Sequence, residues 1–307
     1  MSGLRPVLDW TVTLLFLPVF GVALLVFEVV QRAAKTLGKR AHDYSVACLC
    51  TSLVTTFRIT GLRIQVERSP AVARWHPYLI VANHQSMFDI ALLGHLFFTN
   101  FPKFVSKREL ARRIPSVSYN LRCGGNALID RDDAEQALEA IAALGCRVER
   151  NRVSAVIFPE GTRGRGGEFR AFKPRGSLTL LAAAPSTSVV PVTIESSWRL
   201  MRANFLPIPF GVRVSVRIGD PIPRRPDENH ARLLEQVREE IAANLAAMRG
   251  EPPVATPLRA AARRGAPRTG RAEPASGERA PLEGSPRKEP AANLFAFRTR
   301  RTRADQA

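Results

Sequence analysis

The chain has 307 residues, with 45 Lys and Arg against 27 Asp and Glu, so its formal net charge is +18 at pH 7. Its 45% hydrophobic content is enough for one substantial folded domain, and its positive charge favours anionic partners, either phospholipid headgroups or nucleic acid. The cysteines Cys48, Cys50, Cys123 and Cys146 are too scattered for a disulfide framework, and they lack the paired spacing of a zinc site.

Two apolar runs lie near the N-terminus, at residues 10–27 and 46–57. At ~1.5 Å per residue, a straight helix over the first run falls just short of a ~30 Å hydrocarbon core, so it either spans a membrane marginally or inserts partway. The second run has the length of an interfacial or buried helix. We therefore predict a membrane-associated helical pair over residues 1–60. A hairpin buried against a soluble core is the alternative.

The connector between these runs is basic, whereas a single Arg5 precedes the first run. Its basic residues are Arg32, Lys35, Lys39 and Arg40. The positive-inside tendency puts such a connector, and the domain that follows it, at the cytoplasmic side of a membrane. The expected location is the cytoplasmic face of the inner (plasma) membrane, with membrane lipid as a partner.

The apolar run at residues 78–82 leads to a histidine and then, five positions later, to a carboxylate. On one continuous helix, steps of about 100° would put His84 and Asp89 roughly 140° apart, so His84 must precede the helix for the two to pair. A strand ending near Ala82 and a helix starting near Ser86 would let Asp89 orient the imidazole for proton abstraction from a hydroxyl. A capping box, in which Asp89 accepts from backbone N–H groups, fits the same residues.

A second apolar run, residues 153–158, leads into the glycine-rich basic turn 159–167. Such a turn exposes backbone N–H groups, and the planar guanidinium of Arg163 matches phosphate oxygens. The turn is a candidate anion site, with an ordinary surface loop as the alternative. It lacks the Lys-Ser/Thr ending of a nucleotide P-loop.

Strands and helices alternate along residues 61–250, which predicts an α/β domain with a largely parallel or mixed central sheet flanked by helices. The expected strands are 78–82, 103–106, 127–129, 155–158, 189–194 and 212–218, and the expected later helices are 133–149, 176–184 and 227–248. Ligand sites in such sheets gather at the carboxyl ends of strands, which is where His84 and Glu160 fall.

The chain changes character at Glu251, where Pro, Ala, Gly and Arg replace the periodic pattern. Residues 251–307 are predicted to be a disordered basic tail. Its end, residues 295–303, mixes aromatic and basic side chains, and we expect it to be a solvated tail although it could touch anionic lipid or RNA.

Four motifs follow one another in a characteristic order. They are Asn83–Asp89; Phe104–Leu110 with Ile114-Pro115 and Gly125–Arg131; Phe158–Arg163 with Phe172-Lys173 and Gly176; and Val190–Val192. In order and spacing they resemble the 1-acylglycerol-3-phosphate (lysophosphatidic acid) acyltransferase family of glycerolipid acyltransferases. Two departures distinguish this chain from the family pattern: Ser118-Tyr119 in place of a small-aromatic pair, and an extra residue within 172–176. Both bear on the shape of the acceptor or acyl pocket, and hence on which lysolipid is the acceptor.

The resemblance implies that residues 61–250 are an acyltransferase domain. His84, held by Asp89, would deprotonate the free hydroxyl of a lysophospholipid acceptor, 1-acylglycerol-3-phosphate, which then attacks acyl-CoA or acyl carrier protein and yields phosphatidic acid for phospholipid biosynthesis. It further implies substrate-binding roles for Lys107, Arg131, Glu160, Gly161, Thr162 and Arg163. No metal ion or cofactor is expected, because a thioester is already activated, and no nucleic-acid partner is expected.

Three other functions fit parts of the sequence. The acceptor could be a different lysolipid, such as a lyso-aminolipid. A hydrolase or an acyl-enzyme transferase would need an activated nucleophile beside His84, and the chain has no G-x-S-x-G elbow. A non-catalytic basic membrane-binding protein would explain the tail but not the four motifs.

Overall fold

A computed structural model describes residues 4–201, 206–225 and 227–252 of the chain. These residues fall within one compact unit, Met1–Ala260. The predicted tail lies outside the described residues beyond Pro252, and so does its aromatic and basic end at 295–303.

The described residues form alternating helices and strands, as the sequence pattern predicts. The strands are β1 Arg63–Arg68, β2 Leu79–Ala82, β3 Lys103–Lys107, β4 Ala127–Ile129, β5 Ala155–Ile157, β6 Val189–Glu195 and β7 Arg213–Ile218. The α-helices are α1 Leu4–Thr36, α2 Lys39–Thr56, α3 Phe88–Leu96, α4 Val117–Cys123, α5 Ala134–Asn151, α6 Pro174–Ala183 and α7 His230–Arg249.

The seven strands form one sheet in the order β1-β7-β6-β2-β5-β3-β4. All neighbouring pairs are parallel except β6 and β7, which are antiparallel. The central strand β2 pairs with β5 on one side and β6 on the other, so that Ile80 lies opposite both Val156 and Val190. These central strands are covered by helices on both faces, which explains why they read as unbroken apolar runs. The predicted α/β class is confirmed.

The strand β1 and the helix α4 were not predicted from the sequence. β1 is an edge strand that pairs only with β7 among the described strands, and its residues are mostly exposed. Its polar side chains therefore lack the apolar signal of a buried strand. The helix α3 begins at Phe88, two residues after the predicted start at Ser86.

The helix α1 is much longer than the apolar run that predicts it. Its 33 residues span about 50 Å at 1.5 Å per residue. One face packs on the domain, where Phe16 contacts Phe57 with ring centroids 4.6 Å apart. The other face exposes large apolar side chains, including Leu14, Leu15, Val22, Leu25, Val26 and Val29. By length and composition, α1 is the one described helix that passes the test for a membrane-crossing helix, with a mean hydropathy of 2.4 over its most apolar 18 residues.

Polar contacts join α1 to the domain near both of its ends. Near the start, Asp9 Oδ1 accepts a hydrogen bond from the Phe210 N–H at 2.8 Å, and Thr13 Oγ1 accepts one from the Ile208 N–H at 2.9 Å. Near the end, Lys35 Nζ donates to the Cys123 carbonyl at 3.1 Å. The helix therefore lies along the domain instead of projecting from it.

Candidate active site

The candidate site lies where two neighbouring parallel strands end. β2 ends at Ala82 and β5 ends at Ile157, and the two strands are paired, so their carboxyl ends lie at the same edge of the sheet. His84 follows the first strand and Glu160 follows the second. The topology thus brings together two segments that lie some distance apart in the sequence, at the edge where α/β sheets bind ligands.

The imidazole of His84 is paired with the carboxylate of Asp89. His84 Nδ1 lies 3.0 Å from Asp89 Oδ2, and the Asp89 side chain is fully buried. Because an ionised carboxylate only accepts hydrogen bonds, this contact puts the ring proton on Nδ1 and leaves Nε2 as the basic nitrogen.

The Asp89 carboxylate accepts three hydrogen bonds in addition to its contact with His84. Its Oδ2 also accepts from the backbone N–H groups of Gln85 and Ser86, both at 2.8 Å, and its Oδ1 accepts from the Ser197 hydroxyl at 2.6 Å. The two sequence interpretations of Asp89 are therefore compatible: one carboxylate satisfies backbone donors at the start of α3 and also bonds the imidazole.

Three further contacts hold His84 in place. Its backbone N–H donates to Glu160 Oε1 at 2.8 Å, and its carbonyl accepts from the Gly164 N–H at 2.9 Å. Its ring stacks on Phe158, with centroids 4.1 Å apart and planes 18° from parallel. The turn after β5 thus contacts the backbone of His84 on two sides.

Glu160 is a buried brace within this turn. Only 2% of the residue is exposed, and its second oxygen, Oε2, accepts from the Arg170 N–H at 3.1 Å. Burial raises the pKa of the Glu160 carboxyl to about 7, although both amide donors favour the ionised form. Since each oxygen already accepts from a backbone amide, the geometry supports a loop-shaping role for Glu160 more than direct contact with a substrate.

The turn is tight enough to require glycine at position 164. A Cβ at Gly164 would lie 1.8 Å from the Glu168 carbonyl oxygen, far inside van der Waals contact. The Gly161 backbone has φ of +68°, a conformation that favours glycine. These two positions explain the glycine-rich composition of the turn.

A cavity of about 440 Å³ opens beside His84. It brings together His84 and five of the six predicted substrate-binding residues: Lys107, Arg131, Gly161, Thr162 and Arg163. The remaining one, Glu160, does not line it. Much of the wall is apolar, with Met87, Ile90, Val105, Leu110, Ile129, Ile141, Ile157 and Phe158. The cavity therefore combines a basic nitrogen, several cations and an apolar surface.

Sequence reasoning assigned no role to two residues of this site. Lys173 lines the cavity and is the side chain nearest to Gly161. Ser197 follows β6, whose carboxyl end borders that of β2, and bonds Asp89. The rule that ligand sites gather at the carboxyl ends of parallel strands was the available signal for Ser197.

A third feature that the sequence did not indicate is a charged contact behind the site. Glu195, at the end of β6, accepts from Gln85 Nε2 at 3.0 Å and from Arg249 Nη2 at 2.7 Å. Arg249 Nη2 also donates to the Gly167 carbonyl at 2.5 Å. The last residue of α7 therefore connects the neighbour of His84 with the end of the glycine-rich turn.

The described residues contain no cluster of side chains that could hold a metal ion. Across residues 4–201, 206–225 and 227–252, no group of three or more His, Cys, Asp or Glu side chains is placed to hold a metal ion. The site consists of a histidine, carboxylates and cations.

Comparison with known proteins identifies similar chains. Residues 63–195 match the model of the Acyltransferase family. The chain is 43% identical over 159 residues to a 1-acyl-sn-glycerol-3-phosphate acyltransferase from Helicobacter pylori, covering 52% of this chain and 62% of that protein. It is 26% identical over 162 residues to the protein of that name from Saccharomyces cerevisiae, covering 53% and 52%.

The solved structure of the 1-acyl-sn-glycerophosphate (LPA) acyltransferase PlsC from Thermotoga maritima has a similar fold. Its TM-score is 0.65 at 22% identity, over 81% of this chain and 98% of that one. Residues 63–195 thus form an acyltransferase domain. The chain is similar to 1-acyl-sn-glycerol-3-phosphate acyltransferases over the segment that carries its four motifs, and it spans about half to three fifths of the length of these curated relatives.

Proposed function

We propose that the protein is an O-acyltransferase that moves a fatty acyl group from acyl-CoA or acyl carrier protein to the free hydroxyl of 1-acylglycerol-3-phosphate, giving phosphatidic acid. The observation that carries the proposal is the His84–Asp89 contact of 3.0 Å beside a cavity with both cationic and apolar walls. The names of the relatives support the same reaction.

The proposed reaction needs one base and no acyl-enzyme. His84 Nε2 takes the proton of the acceptor hydroxyl as its oxygen forms a bond to the thioester carbonyl carbon. The tetrahedral intermediate then collapses, the C–S bond breaks, and the thiolate recovers the proton from the imidazolium. Asp89 favours the imidazolium by accepting from Nδ1, and Ser197 fixes that carboxylate from its other oxygen.

Different parts of the cavity wall bind different parts of the acceptor: the cations bind its phosphate and the apolar side chains bind its acyl chain. Arg163 holds the acceptor phosphate, with Lys107 and Arg131 adding positive charge at the same cavity. Arg131 also donates to the Gly161 carbonyl and so supports the turn. The apolar wall suits an acyl chain, since burial of CH₂ groups contributes about 0.8 kcal/mol each.

The proposed location is the cytoplasmic face of the inner membrane, with α1 as the helix that contacts lipid, since most of α2 is buried against the domain. Asp9 and Lys35 lie about 40 Å apart along α1 at ~1.5 Å per residue, yet both contact the same domain. A helix tied to one domain near both ends cannot carry its middle across the bilayer. We therefore favour sideways insertion of its exposed apolar face into one leaflet.

A second candidate is the acylation of a different lysolipid, such as a lyso-aminolipid. The observation that favours it is the Ser118-Tyr119 departure. Ser118 Oγ donates to the Leu110 carbonyl at 2.8 Å, and the guanidinium of Arg32 lies 4.7 Å from the Tyr119 ring centroid. Ser118 thus connects α4 to Leu110, which lines the cavity, and Tyr119 connects α4 to α1. The departure from the family pattern therefore lies next to the wall of the acceptor cavity.

The test is product identification with purified full-length protein in detergent, labelled acyl-CoA and lysophosphatidic acid. Phosphatidic acid is the expected product. Free fatty acid would indicate a hydrolase, and the absence of any product with any acceptor would indicate a non-catalytic membrane protein. A panel of acceptors that includes lyso-aminolipids separates the two acyltransferase candidates, because the true acceptor has the highest kcat/KM.

A further inference from the structure

A strained turn at Ser116 lies just before α4. The Ser116 backbone has φ of +58° and ψ of −45°, and the Val117 N–H donates to the Pro115 carbonyl across it at 2.6 Å. This is a γ-turn with positive φ, the rare and strained form of that turn. The Ser116 hydroxyl is buried and has no hydrogen-bond partner among the residues that the structure describes, so it does not stabilise the turn. Contacts from outside the turn must therefore hold it.

The helix α1 supplies that contact. Glu28 Oε2 accepts a hydrogen bond from the Ser116 N–H at 2.5 Å, and Glu28 Oε1 accepts one from Arg32 Nε at 2.9 Å. Because the arginine favours the ionised carboxylate, the bond to Ser116 is charge-assisted and about twice as strong as a bond between neutral groups. At the other end of α4, Lys35 Nζ donates to the Cys123 carbonyl at 3.1 Å. The helix α1 thus bonds α4 at both of its ends.

The helix α4 is in turn bonded to the wall of the cavity that contains the candidate active site. Ser118 Oγ donates to the Leu110 carbonyl at 2.8 Å, and Arg122 donates to the carbonyl of the next residue, Ala111. Leu110 and its neighbour Glu109 line the cavity. A continuous series of hydrogen bonds therefore runs from α1 through α4 to the cavity wall.

The rest of the surface between α4 and the two N-terminal helices includes unsatisfied polar groups. Gln31 lies three positions after Glu28 on the same face of α1, and the His42 ring of α2 lies 5.8 Å from the Tyr119 ring of α4. Gln31 and His42 are buried, and their polar side-chain atoms have no hydrogen-bond partners within the described part of the chain. Since buried polar atoms without partners are destabilising, the bond from Glu28 matters more for the position of α4.

We infer that Glu28 is a positioning residue for the acceptor: it holds the turn at Ser116 and, through α4, fixes the part of the cavity wall that contains Leu110. This inference rests on the proposed function. It makes α1 a support of the acceptor cavity as well as the helix that contacts lipid.

The experiment is steady-state kinetics in detergent, where attachment to a membrane does not affect the result. For Glu28→Ala we expect KM for the acceptor to rise about tenfold, the scale of a lost charge-assisted hydrogen bond. The value of kcat should change little, because His84 is held by Asp89 and Glu160 and not by α4. Glu28→Gln should be intermediate, since its amide oxygen accepts the same bond without a charge.

Ser116→Gly tests whether Glu28 acts through the turn. Glycine adopts positive φ without strain, so the turn should keep its conformation with less support from Glu28. When Ser116→Gly is added to Glu28→Ala, KM for the acceptor should therefore return most of the way to the wild-type value. A general loss of stability would not be repaired at this position, so failure of Ser116→Gly to lower KM would overturn the inference.

Asp9→Ala is the matched control. Asp9 is the other acidic residue of α1, and its carboxylate also accepts from a backbone N–H of the domain, that of Phe210 at 2.8 Å. Phe210 does not line the cavity, so KM for the acceptor should not change in Asp9→Ala.

Three results with these variants would overturn the inference: an unchanged KM in Glu28→Ala, an equal rise of KM in Asp9→Ala, or a fall of kcat in Glu28→Ala without a rise of KM. If Glu28→Ala does not fold, Glu28→Gln with and without Ser116→Gly makes the same comparison. Failure of the wild-type protein to acylate any acceptor would instead overturn the proposed function.

Discussion

Glu160 accepts a hydrogen bond from the backbone N–H of His84 at 2.8 Å, and this contact, with the bond from the Gly164 N–H to the His84 carbonyl, ties the turn after β5 to the segment that follows β2. The second oxygen of the carboxylate is bonded to the Arg170 N–H, further along the same turn. The candidate base and the candidate anion loop are therefore parts of one rigid unit. A change in the protonation state of Glu160 should therefore affect both the position of His84 and the conformation of the loop.

The titration of Glu160 should be visible in the stability of the protein. The carboxyl has a pKa of 4.5 in the unfolded chain and about 7 in the folded protein, so the folded state binds the extra proton between these values. Its contribution to stability is present below pH 4.5 and is lost as the pH rises through about 7. The loss amounts to roughly 3 kcal/mol from the size of the shift.

Thermal unfolding in detergent between pH 5 and pH 8 measures this loss. We expect Glu160→Gln to show a flatter decline of Tm with rising pH than the wild type, since the variant has no proton to lose. His42, whose pKa is lowered to about 4 by burial, titrates in the opposite direction and remains in both proteins. Parallel curves for the two proteins would contradict the prediction.

His84→Ala should lower kcat by about 10²- to 10⁴-fold, the usual range for loss of a general base. Steady-state kinetics on the purified variant measure the effect. The control is His76→Ala, because His76 is exposed and lies outside the cavity. Wild-type kcat in His84→Ala would exclude the proposed mechanism.

Arg163→Ala should act mainly on acceptor binding. A charge-assisted hydrogen bond contributes about 1.5 to 3 kcal/mol, which corresponds to a rise of KM for the acceptor of roughly 10- to 150-fold. Arg163→Lys should recover only part of this loss, because an ammonium cannot bind phosphate through two parallel hydrogen bonds. The assignment to the phosphate would be wrong if an acceptor without a phosphate lost as much kcat/KM.

The C-terminal boundary of the active protein should lie at Arg249. Truncation after Gly250 removes the tail but keeps the bonds from Arg249 to Glu195 and Gly167, so kcat in detergent should not change. Truncation after Met248, or Arg249→Ala, leaves the Glu195 carboxylate without its cation and should lower kcat about tenfold. Arg249→Lys should be intermediate. Equal activity of the two truncated proteins would argue against a positioning role for Arg249.

The exposed face of α1 should anchor the protein to lipid. Leu14 and Leu15 are about 60% exposed, at 62% and 60%. We expect wild-type protein to remain with membranes after washes with high salt and with carbonate. The double variant Leu14→Arg and Leu15→Arg should be released, because a helix that lies in one leaflet is held by the apolar area that it buries in lipid, and the two arginines remove part of that area. Release of the wild type by salt alone would mean that charge, and not insertion, holds it.

Most of the strands and the longer helices could be predicted from the local sequence pattern. The strands β2, β5 and β6 were predicted to within one or two residues, because buried parallel strands are largely continuous apolar runs. The helix α5 was predicted from an apolar stripe with a 3.6-residue period. The edge strand β1 was missed, since its exposed side chains have no such pattern.

The sequence by itself determined the resemblance to acyltransferases, the fold class and the two segments that carry His84 and Arg163, since these depend on motifs and on local periodicity. Tertiary structure decided how those segments meet. The pairing of β2 with β5 and β6 is non-local, so only the folded chain reveals that Ser197 reaches Asp89 and that Arg249 reaches Gly167. It also separates Glu160, a buried brace, from the cations that line the cavity, because burial depends on what packs around a side chain.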